Sequence, residues 1–230
     1  MPKSITCSPP SKGPGAPTRR RALALLGAGV ATASLAGCSN GKWHSIDVSG
    51  SLPSLDFAMT RAGDGKAVTE ADYRGRVVLL YFGYTNCPDI CPTTMANAGE
   101  ILTRLGASAK HVAMLFVTVD PNRDTPAVLA QYVKNFAPEM EGLRGTPDQL
   151  AALARRYHIV YSVTPAQGGK PYEVTHSPAI YVFDGTGAAR LIIASLASTK
   201  PDLAGTADDL RRLVDEARPP GLLARLERMV

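Results

Sequence analysis

The chain has 230 residues, 25 basic and 20 acidic, with hydrophobic side chains making up 45% of it. Five of the basic residues and none of the acidic ones precede Cys38, so the 193 residues from Cys38 onward carry 20 charges of each sign and a formal net charge of zero. The overall basic balance is therefore a property of the leading segment, and it supplies no argument for a nucleic-acid partner.

Arg19, Arg20 and Arg21 precede an apolar stretch from Ala22 to Leu35, and Leu35-Ala36-Gly37-Cys38 closes it with small residues before a cysteine. Residues 1–37 are expected to be a bacterial lipoprotein signal peptide, with Cys38 the lipid attachment point on the extracytoplasmic face of the cell membrane. The apolar stretch is broken by glycine and short of the about 20 residues a spanning helix needs. Paired arginines also fit twin-arginine export, although Ala22 and Leu23 stand where a phenylalanine is commoner. Residues 38–51 offer little periodic apolar content and are expected to form a lipid-attached tether. Within it, Trp43 suits either the membrane interface or the domain surface.

The remainder is long enough for one domain. A strand over Leu55–Thr60, a turn over Arg61–Lys66 and a return over Ala67–Glu70 make an N-terminal hairpin. Val77 to Phe82 is a consecutive apolar run, as a strand buried on both faces requires. After Gly83-Tyr84-Thr85-Asn86 a helix is expected from just past Cys87, with Pro88 near its start, to about Gly106. His111 to Val119 reads as a second buried strand. Thr125-Pro126 and Thr146-Pro147 each pair a cap residue with proline at the first helical position, starting two further helices. Strands near Ile159–Val163, Ala179–Phe183 and Leu191–Ala194 follow. Thr206 and Asp209 suggest a cap for a helix to Ala217, and residues 218–230 a short terminal helix over Leu222–Met229. Arg155-Arg156 and Arg211-Arg212 fall on solvated helix faces. The alternation describes an α/β fold with a central mixed sheet flanked by helices.

With Cys7 in the leader and Cys38 acylated, Cys87 and Cys91 remain as free thiols, and one short-range pair cannot staple a domain of this size. Residues four apart at a helix start share a face, so both sulfurs can converge on one ion. Thiolates suit Cu(I) and an imidazole also suits Cu(II), which makes the distant His176 a candidate third ligand. The same two thiols could close into a disulfide, Cys87 attacking and Cys91 resolving. Structural zinc would want a fourth protein ligand, and His44, His111 and His158 are better accounted for by local packing or, for His44, a transfer role near the tether. Asp89 could tune the thiols. Asp120 and Asp124 suit turn and cap formation, with Asp120 also placed to orient a loop near a ligand.

The run Tyr81-Phe82-Gly83-Tyr84-Thr85-Asn86-Cys87-Pro88-Asp89-Ile90-Cys91-Pro92 resembles the signature of the SCO/SenC family, thioredoxin-fold copper proteins of cytochrome c oxidase assembly. Val117-Thr118-Val119-Asp120-Pro121 with Arg123-Asp124-Thr125-Pro126 resembles its second motif, and His176-Ser177 before Ala179 to Asp184 its third. The resemblance spans roughly residues 52–213 and implies a thioredoxin-like domain over 52–217 with its N-terminal hairpin as an extension. It further implies that Cys87, Cys91 and His176 bind one copper ion. The role implied is that of an extracytoplasmic metallochaperone for the dinuclear copper centre of cytochrome c oxidase subunit II, served by a thiol reductant or copper donor. A thiol-disulfide reductase acting on that subunit's cysteines is the first alternative, and a peroxiredoxin-like peroxidase the second. Pro178 departs from many relatives, and its place before a central strand allows a cis Ser177–Pro178 bond.

Overall fold

Two seven-residue apolar strands lie side by side at the centre of the molecule, β4 (Val77–Gly83) and β5 (Val112–Thr118), with every residue of both buried. Their consecutive rather than alternating hydrophobicity follows from helices covering both faces. This computed structural model describes residues 42–164, 172–194 and 196–217. The expected leader, Cys38 and the Leu222–Met229 helix lie outside them. No helix among the described residues is long and apolar enough to cross a membrane.

The other strands are β1 (Ile46–Asp47), β2 (Ala58–Arg61), β3 (Ala67–Thr69), β6 (Met140–Arg144), β7 (Tyr161–Thr164), β8 (Glu173–His176), β9 (Ile180–Phe183) and β10 (Ala189–Ile193). Eight described strands form one mixed sheet in the order β1-β10-β9-β4-β5-β6-β2-β3, while β7 and β8 pair separately as an antiparallel hairpin. The β4–β5 and β5–β6 pairs are parallel, and β9 meets β4 antiparallel. The helices are α1 (Ile90–Leu105), α2 (Pro126–Lys134), α3 (Pro147–Arg156) and α4 (Leu203–Ala217). Right-handed crossovers stepping the same way along the sheet put α1 and α2 on one face. Gly99 of α1 accordingly packs against the Phe136 carbonyl just beyond α2, where an added Cβ would lie 3.0 Å from that oxygen. On the other face Tyr157, past the end of α3, packs on the rings of Tyr181 and Phe183.

The proline-start helices form as expected: Thr125 accepts from Val128 N–H, and Thr146 exchanges bonds with Gln149 in a capping box. Other elements differ from expectation or were left open by it. The first helix begins at Ile90 with Asp89 as its cap residue, because Cys87, Pro88 and Asp89 are spent on the turn. The last begins at Leu203, and Thr206 and Asp209 are buried within it; Asp209 instead accepts the backbone N–H groups of His44 and Ser45 at 3.1 and 2.7 Å. From Trp43 the segment expected as tether lies on the domain: Ile46 and Asp47 pair with Ile192 and Leu191, and Trp43 stacks under the Arg212 guanidinium at 3.9 Å. The strands β6 and β8 were not anticipated, and the Ser177–Pro178 bond is trans, like the other described peptide bonds.

Candidate metal centre

The C-terminal ends of β4 and β5 open the loops that build the site. Gly83 ends β4 where any side chain would collide: a Cβ there would come 2.8 Å from the Phe116 ring and 3.1 Å from Cys91 Sγ. Glycine is thus the condition for Cys91 to pack against the strand end. The next loop is tied down by Asp124, which is fully buried. Its carboxylate accepts from Thr85 N–H at 3.0 Å, the Thr85 hydroxyl at 2.6 Å and the Thr118 hydroxyl at 2.5 Å. Asp124 therefore acts beyond the cap and turn role expected of it, bracing the chain two residues ahead of Cys87.

Cys87 is half-buried and Cys91 buried, and both are free thiols. The Cys91 N–H points at Cys87 Sγ, 3.4 Å away, as the first turn of α1 forms. His176 arrives from the end of β8, 85 positions beyond Cys91, with Nε2 3.0 Å from Cys91 Sγ. Its Nδ1 lies 2.9 Å from the Ser177 carbonyl oxygen and donates to it, which leaves the Nε2 lone pair facing the sulfurs. Tyr81 and Tyr84 present their rings edge-on to the imidazole at centroid distances of 5.8 and 5.9 Å. The donor atoms of Cys87, Cys91 and His176 all lie within 4.8 Å of one another.

The two thiols differ electrostatically. Burial pushes Cys87 up, but the N–H groups of Cys91 and Asp89 outweigh it, and the net shift is downward. Burial pushes Cys91 up to about 12, with the neighbouring Cys87 adding to the rise. Burial also lowers the His176 pKa, favouring the neutral ring a metal requires. Two sulfurs and one unprotonated imidazole nitrogen make a soft donor set, so these side chains fit one thiophilic ion with a coordination position left open. Among the described residues the metal-ligating group comprises these three. His44 is elsewhere, against Asp202 at 3.1 Å, and His158 lies two residues past the end of α3 with φ 55°.

Asp120 was expected to form a turn, with a place near a ligand as the alternative, and Arg123 only as part of that turn. In the structure Asp120, 3% exposed, accepts from the Tyr172 hydroxyl at 2.7 Å and from Arg123 Nε. Tyr172 was not anticipated as part of the site, and its position four residues before His176 is the signal that could have drawn attention to it.

This is a thioredoxin-like protein with a Cys-x3-Cys dithiol and a histidine delivered from a separate hairpin. Solved structures share the arrangement of the chain: Bradyrhizobium japonicum ScoI with copper bound is 35% identical, with a TM-score of 0.62 over 70% of this chain and 98% of that one. Yeast Sco1 with copper bound is 31% identical, with a TM-score of 0.61 over 75% of this chain and 94% of that one. The SCO1/SenC family profile matches residues 54–214. The bovine mitochondrial SCO2 homologue is 38% identical over 185 residues, covering 76% of this chain and 69% of that protein. The chain belongs to the SCO1/SenC family.

Proposed function

We propose that this protein is an extracytoplasmic copper-binding assembly factor that serves the dinuclear copper centre of cytochrome c oxidase subunit II, with Cys87, Cys91 and His176 as the copper ligands. The observation that carries this reading is the convergence of two sulfurs and an unprotonated imidazole nitrogen within 4.8 Å. Membership of a family that includes solved relatives with copper bound supports it. Bound copper would supply the cargo. The chain's own contribution is to hold three soft donors and leave a position for an incoming ligand of the acceptor. An acceptor donor can then bind before one of these ligands leaves, so the ion need never be free. Lipid attachment at Cys38 would place this exchange at the membrane surface, where the oxidase subunit and an extracytoplasmic copper donor or reductant are within reach.

A second reading is favoured by the lowered Cys87 thiol beside a buried Cys91. Cys87 thiolate would attack a disulfide of the oxidase copper site, forming a mixed disulfide and releasing one partner thiol. Cys91 would then displace the second partner thiol, leaving the partner reduced by two electrons and Cys87–Cys91 oxidised to a disulfide. An extracytoplasmic thiol reductant would be needed to restore the dithiol. The two activities are compatible as successive steps at one acceptor.

Anaerobic titration of the reduced protein with Cu(I), followed by X-ray absorption, tests the first reading. One ion per chain with two sulfur ligands and one nitrogen ligand is expected. Parental affinity in both Cys87→Ser and Cys91→Ser would sink it. Rapid exchange with the oxidase disulfide, without metal transfer, would select the second.

A further inference from the structure

His176 stands at the end of β8, which among the described strands pairs with β7 alone, apart from the eight-stranded sheet. The hairpin's own hydrogen bonds set its internal register but do not hold it against the dithiol. One attachment is visible four residues before His176. The Tyr172 hydroxyl donates to Asp120 Oδ1 at 2.7 Å, and the Arg123 guanidinium stacks over the Tyr172 ring, 4.0 Å from its centroid. Arg123 also donates to the Tyr172 carbonyl oxygen at 3.4 Å, while its Nε donates to Asp120 Oδ2. Asp120 in turn is anchored to the end of β5, its N–H donating to the Thr118 hydroxyl at 3.0 Å. The same guanidinium lies 5.8 Å from the Tyr84 ring, which meets the His176 imidazole edge-on.

We propose that Tyr172, gripped by Asp120 and Arg123, is a positioning residue that latches the His176 hairpin to the end of β5 and so holds the imidazole over Cys91. The proposal rests on the copper reading above. A nearly buried carboxylate shared between a phenol and a guanidinium is a charge-assisted contact on both sides, stronger than a neutral hydrogen bond. Releasing it lets the hairpin sample placements in which Nε2 is away from the sulfurs. The apparent affinity for a metal then falls with the fraction of time the ring is in place. Neither Tyr172 nor Asp120 touches a cysteine, so the contact between them bears on the nitrogen ligand.

Tyr172→Phe keeps the ring and removes one oxygen, which makes it the decisive variant; Asp120→Asn is its counterpart, and the Phe variant suffices where the Asn variant fails to fold. In the reduced whole chain, Cu(I) affinity is measured by competition with a chromogenic chelator, alone and in a His176→Ala background, beside X-ray absorption and metal-free thermal unfolding. Tyr172→Phe is expected to weaken binding about tenfold, the scale of losses from removing a partner behind a metal ligand. It should diminish the nitrogen scattering, leave the metal-free unfolding midpoint in place, and add no further loss to His176→Ala. Parental affinity in Tyr172→Phe, alongside a clear loss in His176→Ala, overturns the latch and leaves the copper reading intact. An equal loss in both backgrounds also overturns it, because Tyr172 would then act through the fold and not through the imidazole. Parental affinity in His176→Ala and in both cysteine variants overturns the copper reading, and the latch with it.

Discussion

His176 Nε2 and Cys91 Sγ stand 3.0 Å apart, although their residues are 85 positions apart in the chain, with β5, α2, β6 and α3 of the main fold between them. Because His176 Nδ1 is committed to the Ser177 carbonyl, the nitrogen facing the sulfur is the one free to bind. The imidazole is thus oriented by its own backbone before any ion arrives.

Burial lowers the His176 pKa below its ordinary 6.5, the hydrogen bond to Ser177 opposing only in part. As pH falls through the unfolded value of about 6.5, the unfolded chain takes up a proton that the folded one declines, so stability at this site is full above that pH and is lost below it, down to the folded pKa. Urea unfolding at pH 7.5 and 5.5 should show a drop for the parent that is smaller in His176→Gln. An NMR titration of the imidazole with a midpoint above 6.5 would contradict this.

Cys87 should be the reactive thiol. With its pKa lowered and its side chain half-exposed, it is expected to be alkylated by iodoacetamide at pH 7 at least about tenfold faster than Cys91, which is buried and pushed up to about 12. Peptide mass spectrometry over a time course reads the order directly. Equal labelling would mean that the amide contacts to Cys87 do not set its charge.

Gly83→Ala places a methyl 2.8 Å from the Phe116 ring and 3.1 Å from Cys91 Sγ. Both neighbours are buried, Phe116 in β5 and Cys91 in the first turn of α1, and overpacking such a site costs about 1–3 kcal/mol. Chemical denaturation should show a loss in that range, together with weaker copper binding because Cys91 must move. Phe116→Leu, which clears the ring, is expected to recover part of the stability.

Asp124→Ala removes the acceptor for Thr85 N–H and for the Thr85 and Thr118 hydroxyls. Each buried donor left without a partner costs about 1–3 kcal/mol, so a destabilisation of about 3 kcal/mol is expected by urea unfolding. Asp124→Asn retains an acceptor oxygen and should lose less. A variant as stable as the parent would show that the loop before Cys87 is held by other contacts.

Local chemistry made much of this protein legible in one dimension. The apolar runs Val77–Phe82 and Val112–Val117 need no partner to announce buried strands, and Thr-Pro at 125–126 and 146–147 starts a helix through its own backbone and hydroxyl. The Cys87/Cys91 spacing and the family resemblance around it were likewise written in adjacent residues, and the mixed sheet flanked by helices followed from the alternation of elements. The strands β6 and β8 were not legible, because Met-Glu-Gly-Leu-Arg and Glu-Val-Thr-His carry little strand signal of their own. β6 becomes a strand by hydrogen bonding to β5 and β2, and β8 by pairing with β7. Asp209 looked like a helix cap, but became the receptor for the His44 and Ser45 amides once the N-terminal segment folded back over α4. Sequence by itself determined which donors were available and where helices and central strands begin, since those depend on neighbours a few residues away. Tertiary structure alone decided that His176 reaches Cys91, that Asp124 braces the loop ahead of Cys87 and that Tyr172 meets Asp120, because each is a contact between segments that only the closed sheet brings within hydrogen-bonding range.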